Sequence, residues 1–189
     1  MTTRRISLGD IDWFAAGFSI AAIALHDAAH VKADNWFHGF WVCNAAALVV
    51  GPALLARSGL WSQVALTWLL PGTAVWLVDA LLTGQDIMPT SYNVHIGGLL
   101  SAAWGVARFG PTRRGWLAAL ALLAIVLALS RIALPAAPNV NAVHAVPLGW
   151  TFLGSKQSTF LASAALIIVL VCALGEVIGR ALGGRLRHD

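Results

Sequence analysis

The sequence predicts an all-α fold: a polytopic membrane helix bundle of six transmembrane helices with both termini cytoplasmic. Three observations predict it. Of the 189 residues, 59% are apolar and 11% charged, whereas a soluble domain carries about 25% charged residues. So little polar surface cannot solvate a globule of this size. The apolar residues form six continuous runs, most of them near the roughly 20 residues that a helix needs to cross a hydrocarbon core of about 30 Å. Lys and Arg are distributed unevenly between the two sets of loops that these runs define.

The spans follow in order at about 11–29, 37–56, 60–82, 94–109, 116–134 and 160–182, within a single transmembrane domain covering 1–189. Helices are the default, because an open sheet edge in lipid leaves backbone groups unsatisfied. A barrel strand would show ten-residue alternation that these runs lack. Arg57-Ser58-Gly59 separates spans two and three, Gly84-Gln85-Asp86 and Met88-Pro89 follow span three, and Gly110 to Gly115 follow span four. Pro71-Gly72 predicts a kink or local unwinding in span three. The long outer loop, 135–159, carries Pro135, Pro138, Asn139, Asn141, Pro147 and Gly149, and loops of this length are often functional. The first span follows Arg4 and Arg5 but shows no small-residue cleavage site, so it reads as a membrane span rather than a removable signal.

Orientation comes from the cations. Arg4, Arg5, Arg57, Arg108, Arg113, Arg114, Arg180, Arg185 and Arg187 fall on one side, and Lys32, Arg131 and Lys156 on the other. The first side is expected to be cytoplasmic, which makes the chain a multi-pass protein of the cell membrane. A net charge of +4, scattered between apolar runs, argues against nucleic acid as a partner. Two cysteines give no disulfide framework. Nine tryptophans suit anchoring at the membrane interface.

Chemistry must come from the polar residues left over. His26, Asp27, His30, His38, Cys43, Asn44, Asp79, Thr83, Asn93, His95, Asn139, Asn141 and His144 all fall at the outer side, and only His188, in a basic tail, does not share it among the histidines. Ionisable residues at membrane depth are candidates for function. Cys172 lies in an unbroken apolar run and reads as packing. Glu176, four residues before Arg180, reads as a helix-surface ion pair.

Two constellations stand out. Cys43 and His95 are expected at similar depth on spans two and four, where the imidazole could deprotonate the thiol for nucleophilic attack. Asn44 or Asn141 could then stabilise an oxyanion. His26 and His30, at i and i+4, share a helix face. With Asp27, His38, His95 or His144 they could hold zinc, copper or iron, and zinc could activate water to hydrolyse a lipid amide or ester.

The segment Phe37-His38-Gly39-Phe40-Trp41-Val42-Cys43-Asn44 resembles the His-Leu-Cys-Asn/Asp region of the small six-span bacterial YwaF-like membrane proteins. His95 opening span four and Asn139-Val140-Asn141 before the last span are similar in order and spacing, over about residues 30 to 180. Trp41 stands where that group has a histidine, two residues before the cysteine. The group is distantly similar to the androgen-induced membrane hydrolases of fatty-acid esters and to a membrane acyltransferase. The resemblance implies Cys43 as nucleophile, His95 as base and a lipid acyl ester as substrate; no cofactor is expected on the leading reading, and zinc, copper or iron on the alternative.

The leading expectation is therefore an integral membrane hydrolase or acyltransferase with an outward-facing Cys43/His95 site, assisted by Asn44 and Asn141. The alternative is a metal-dependent membrane enzyme using His26, His30, His38 and His144. A third reading is a non-enzymatic accessory subunit partnered by other membrane subunits, with Gly97, Gly98 and Ser101 suiting close helix contacts. Absence of duplicated halves and of a charged path across the bundle makes a transporter less attractive.

Overall fold

A computed structural model describes residues 7–84, 87–136, 139–146 and 150–183. Several residues used above lie outside them: Arg4, Arg5, Gln85, Asp86, Pro138, Pro147, Gly149, Arg185, Arg187 and His188. The described chain is all-helical. Its α-helices are α1 (Leu8–Lys32), α2 (Val42–Leu55), α3 (Gly59–Thr83), α4 (Pro89–Tyr92), α5 (Gly98–Phe109), α6 (Gly115–Ala133) and α7 (Gln157–Leu182). Four helices are long and apolar enough to cross a membrane: Leu8–Lys32, Gly59–Leu81, Gly115–Ala133 and Gln157–Leu182. α2 is a shorter apolar helix.

Local chemistry sets the helix ends. Ser7 caps α1 by accepting from the Asp10 N–H, while the Asp10 carboxylate accepts from Ser7 in return. Ser58 caps α3 in the same way, through the Trp61 N–H. Gly84 closes α3 with φ of 63°, a left-handed conformation in which a side chain would be strained. The helix runs on through Pro71, so the expected unwinding there is absent.

The start expected for span two is corrected. The chain does not enter α2 at Phe37. It leaves α1 through Asp34 at positive φ, and the Asn35 N–H closes back onto the His30 carbonyl at 2.8 Å. Trp36–Phe40 then forms a separate 3₁₀ turn, and α2 begins only at Val42. The apolar run alone could not show this, because the turn is as apolar as the helix that follows. The helical run over the segment expected as span four also begins earlier, at Pro89. α4, a π-helical turn over Asn93–Gly97, and α5 follow one another without a break.

α3 is the central element. It packs against α2, α5, α6 and α7, and its Val64, Ala65, Leu66, Trp68 and Leu69 are buried. Small residues permit the close approaches. A Cβ on Gly105 would collide with Ser62, and one on Gly175 with Thr67. The outward faces keep large apolar side chains such as Leu81, Leu100, Ile132 and Leu166 exposed, as lipid contact requires.

Polar contacts gather in two groups. One includes Asp12, which accepts from Trp104 Nε1 at 2.8 Å and pairs with Arg108 at 3.5 Å. Through Thr112, which follows Arg108 in the chain, fully buried Gln63 belongs to the same end: it accepts from the Thr112 N–H at 2.8 Å and donates to Glu176 at 2.6 Å. The other group surrounds His26. Fourteen residues of α1 separate Asp12 from His26, about 21 Å at 1.5 Å per residue.

Candidate metal centre

Helical spacing brings the first two imidazoles together. His26 and His30, four residues apart on α1, project from one face, with ring centroids 4.4 Å apart. The 3₁₀ turn supplies the third. By folding back along the end of α1, it lays the His38 ring on His30, with centroids 3.8 Å apart and planes 7° from parallel. The His26 and His38 centroids are 6.0 Å apart. One ligand nitrogen from each of the three rings can be chosen so that all lie within 4.8 Å of one another.

These rings are short of hydrogen bonds. His26 is 1% exposed and His30 6%. Among the described residues, His26 Nε2, both ring nitrogens of His30, and His38 Nδ1 are buried with no hydrogen-bond partner. An unmade hydrogen bond of this kind costs about 1–3 kcal/mol, and four at one place need an explanation. The one ring nitrogen of His26 that is satisfied is Nδ1, 3.1 Å from the Thr90 hydroxyl. That contact fixes the ring and leaves Nε2 turned away, the arrangement usual for a metal-ligating imidazole with an orienting partner behind it. His38, in the turn outside the spanning helices, is held below its ordinary pKa range, at about 4. Burial is the main cause, with His30 and then His26 adding to it. A neutral imidazole is the form that binds a metal.

An ion held at about 2.0–2.1 Å from three nitrogens in tetrahedral geometry would bring them to about 3.3 Å of one another. The observed 4.8 Å limit needs the nitrogens to close by about 1.5 Å, and the His30 and His38 rings to tilt from their parallel stack so that both in-plane lone pairs meet at one ion. The donor set, three imidazoles, suits zinc with one position left open, and copper or iron by ligand type.

The remaining sequence candidates distribute around this cluster. His95 lies in the π-helical turn, 4% exposed, stacked on Trp76 with centroids 4.4 Å apart. Its Nδ1 is buried without a partner, and it is close enough to His26 and His38 to interact with both electrostatically. Cys43 is not hydrogen-bonded to it. The thiol instead reaches Asn44 Oδ1 at 3.9 Å, and its Cβ stands against the backbone of Gly72. His144 lies outside the cluster, where Arg131 donates to its Nδ1 and Asn139 accepts from its backbone N–H.

The two asparagines act on the backbone that carries His38. Asn44 Nδ2 donates to the His38 carbonyl at 2.8 Å. Asn141 accepts from the Val42 N–H at 3.0 Å and donates to the Phe40 carbonyl at 2.8 Å and to Ser130 Oγ at 2.9 Å. Both amide protons of Asn141 are thus committed, which leaves none for an oxyanion. Sequence reasoning missed Thr90 and Trp76. Neither has a local signal, since Thr90 meets His26 across 64 residues.

Comparison of the chain with protein-family models, curated proteins and solved structures found no match.

Proposed function

We propose that this chain is a metal-dependent integral membrane enzyme, with its metal held by His26, His30 and His38. The observation that carries this reading is the convergence of three imidazoles, those of buried His26 and His30 and half-buried His38, within 4.8 Å, with ring nitrogens that no protein group satisfies. Coordination would satisfy one nitrogen of each ring and link α1 to the turn that precedes α2. We place six crossings in the bilayer: the four long helices, α2, and the run from α4 through α5. The arginine bias puts both termini in the cytoplasm and the histidines at the extracytoplasmic end of a cell membrane protein. Zinc is the favoured ion, because three histidines with an open fourth position is the donor set of catalytic zinc. The surrounding apolar faces favour a substrate that partitions into lipid.

Elemental analysis of the purified protein tests the reading. About one zinc, copper or iron per chain is expected, lost in His26→Ala, His30→Ala and His38→Ala and kept in His144→Ala. Each variant's helical content, read by circular dichroism in detergent, separates loss of the ion from loss of the fold. Wild-type protein free of all three metals overturns the proposal.

A further inference from the structure

The carboxylate between the two α1 ligands has an oxygen that no hydrogen bond holds. Asp27 Oδ1 is buried without a hydrogen-bond partner among the described residues. It is coupled electrostatically to His30, and it lies 3.7 Å from where a Cβ on Gly39, the residue after His38, would stand. The carboxylate is therefore set between the α1 ligand pair and the turn bearing the third ligand, with Gly39 packed against it. His26-Asp27-Ala28-Ala29-His30 has the spacing of the helical His-Glu-x-x-His arrangement, in which the two histidines bind zinc and the intervening carboxylate takes a proton from water. Aspartate is one methylene shorter than glutamate, and the turn of Trp36–Phe40 back onto α1 brings the third ligand to its side of the helix.

We infer that Asp27 is the catalytic base of a hydrolase, acting on a water at the open position of the three-histidine centre and cleaving an acyl ester or amide of a lipid. This rests on the metal-centre reading above. The water gives a proton to Asp27, and its oxygen forms a bond to the acyl carbon while the carbonyl electron pair moves onto the carbonyl oxygen. That pair returns as the bond from carbon to the alcohol oxygen or amine nitrogen breaks. The leaving group takes the proton from Asp27. Water is consumed, a fatty acid and an alcohol or amine are released, and the carboxylate is restored.

The surroundings select the acyl chain. Leu25 and Val31 on α1, Trp36 on the turn, Tyr92 on α4 and Ile96 on the π-helical turn are exposed apolar side chains close in sequence to the cluster residues. An aromatic and aliphatic rim of this kind suits the lipid interface. An acyl tail in the bilayer can lie on these side chains, and its carbonyl reaches His26 and His30, 1% and 6% exposed, when the side chains covering them are displaced.

Two measurements on the zinc-loaded full chain test the inference. X-ray absorption at the zinc edge reports the ligand set, and three imidazoles with one oxygen are expected. Four imidazoles, with His95 as the fourth, leave no position for water and overturn it. Hydrolysis of a 4-nitrophenyl ester of a medium-chain fatty acid and of an N-acyl aminocoumarin, both in detergent micelles, reports turnover. Asp27→Asn is expected to keep full zinc content and lose turnover by about 10²- to 10⁴-fold, and Asp27→Glu to recover part of it. Unchanged turnover in Asp27→Asn overturns the role of Asp27, as does loss of its zinc, which would make Asp27 a ligand. Failure of the zinc-loaded wild type to cleave either probe overturns the hydrolase assignment. A wild type that takes up no zinc, by contrast, removes the metal centre itself.

Discussion

His30 and His38 lie face to face, 3.8 Å between ring centroids and 7° from parallel, although one belongs to a long helix and the other to a separate turn. Each ring keeps a nitrogen without a hydrogen-bond partner, and a shared metal ion is the proposal under which both nitrogens gain one. The consequences can be measured residue by residue.

Thr90→Val removes the hydroxyl 3.1 Å from His26 Nδ1 while keeping the side chain's size. Loss of an orienting partner behind a metal ligand typically weakens metal binding 10- to 100-fold. Competition with a chelator should show a drop of that order, with the unfolding temperature little changed.

Asn141→Leu removes three hydrogen bonds at once, to Val42, Phe40 and Ser130. At about 1 kcal/mol for each bond, the loss is expected to be about 3 kcal/mol, read by denaturant unfolding in detergent. Metal affinity should fall as well, because the segment bearing His38 loses its tie to α6. Asn44→Ala should weaken metal binding without the larger loss of stability, since it frees only the His38 carbonyl.

Gln63→Leu tests the opposite group of polar contacts. It leaves the Thr112 N–H and the Glu176 carboxylate without the buried amide that joins them. A loss of about 2–4 kcal/mol is expected. Metal stoichiometry should stay at the wild-type value, because no residue of the histidine cluster touches Gln63.

Cys43 separates the two chemistries that the sequence offered. Cys43→Ala should leave metal content unchanged, and labelling by a fatty-acyl probe that depends on a thiol nucleophile should not single it out over Cys172. Gly72→Leu should destabilise by about 1–3 kcal/mol through overpacking, since its backbone stands against the Cys43 Cβ.

Much of the architecture was legible in the sequence because lipid imposes a strong signal. Runs such as 116–134 and 160–182 match α6 and α7 to within a few residues. Turn chemistry was less legible. Nothing in Trp36 to Trp41 distinguishes a 3₁₀ turn from the first turn of a helix, because the decision is made by Asp34 at positive φ and by the closure of Asn35 onto His30. The His26/His30 pair was readable from its i,i+4 spacing, which a helix converts directly into proximity. That His38 joins it depends on the misread turn. The expected pairing of Cys43 with His95 relied on equal depth in the membrane, and the hydrogen bond the thiol makes is to its neighbour Asn44. The asparagines were recognised as important polar residues, but most of their targets are backbone groups, which no residue pattern reveals.

Titration of metal-free protein with zinc measures the central claim most directly. The account predicts one tight site per chain, weakened at least 100-fold in folded His30→Ala and unaffected in His144→Ala. Absence of a tight site in the wild type, or equal affinity in His30→Ala, would contradict it.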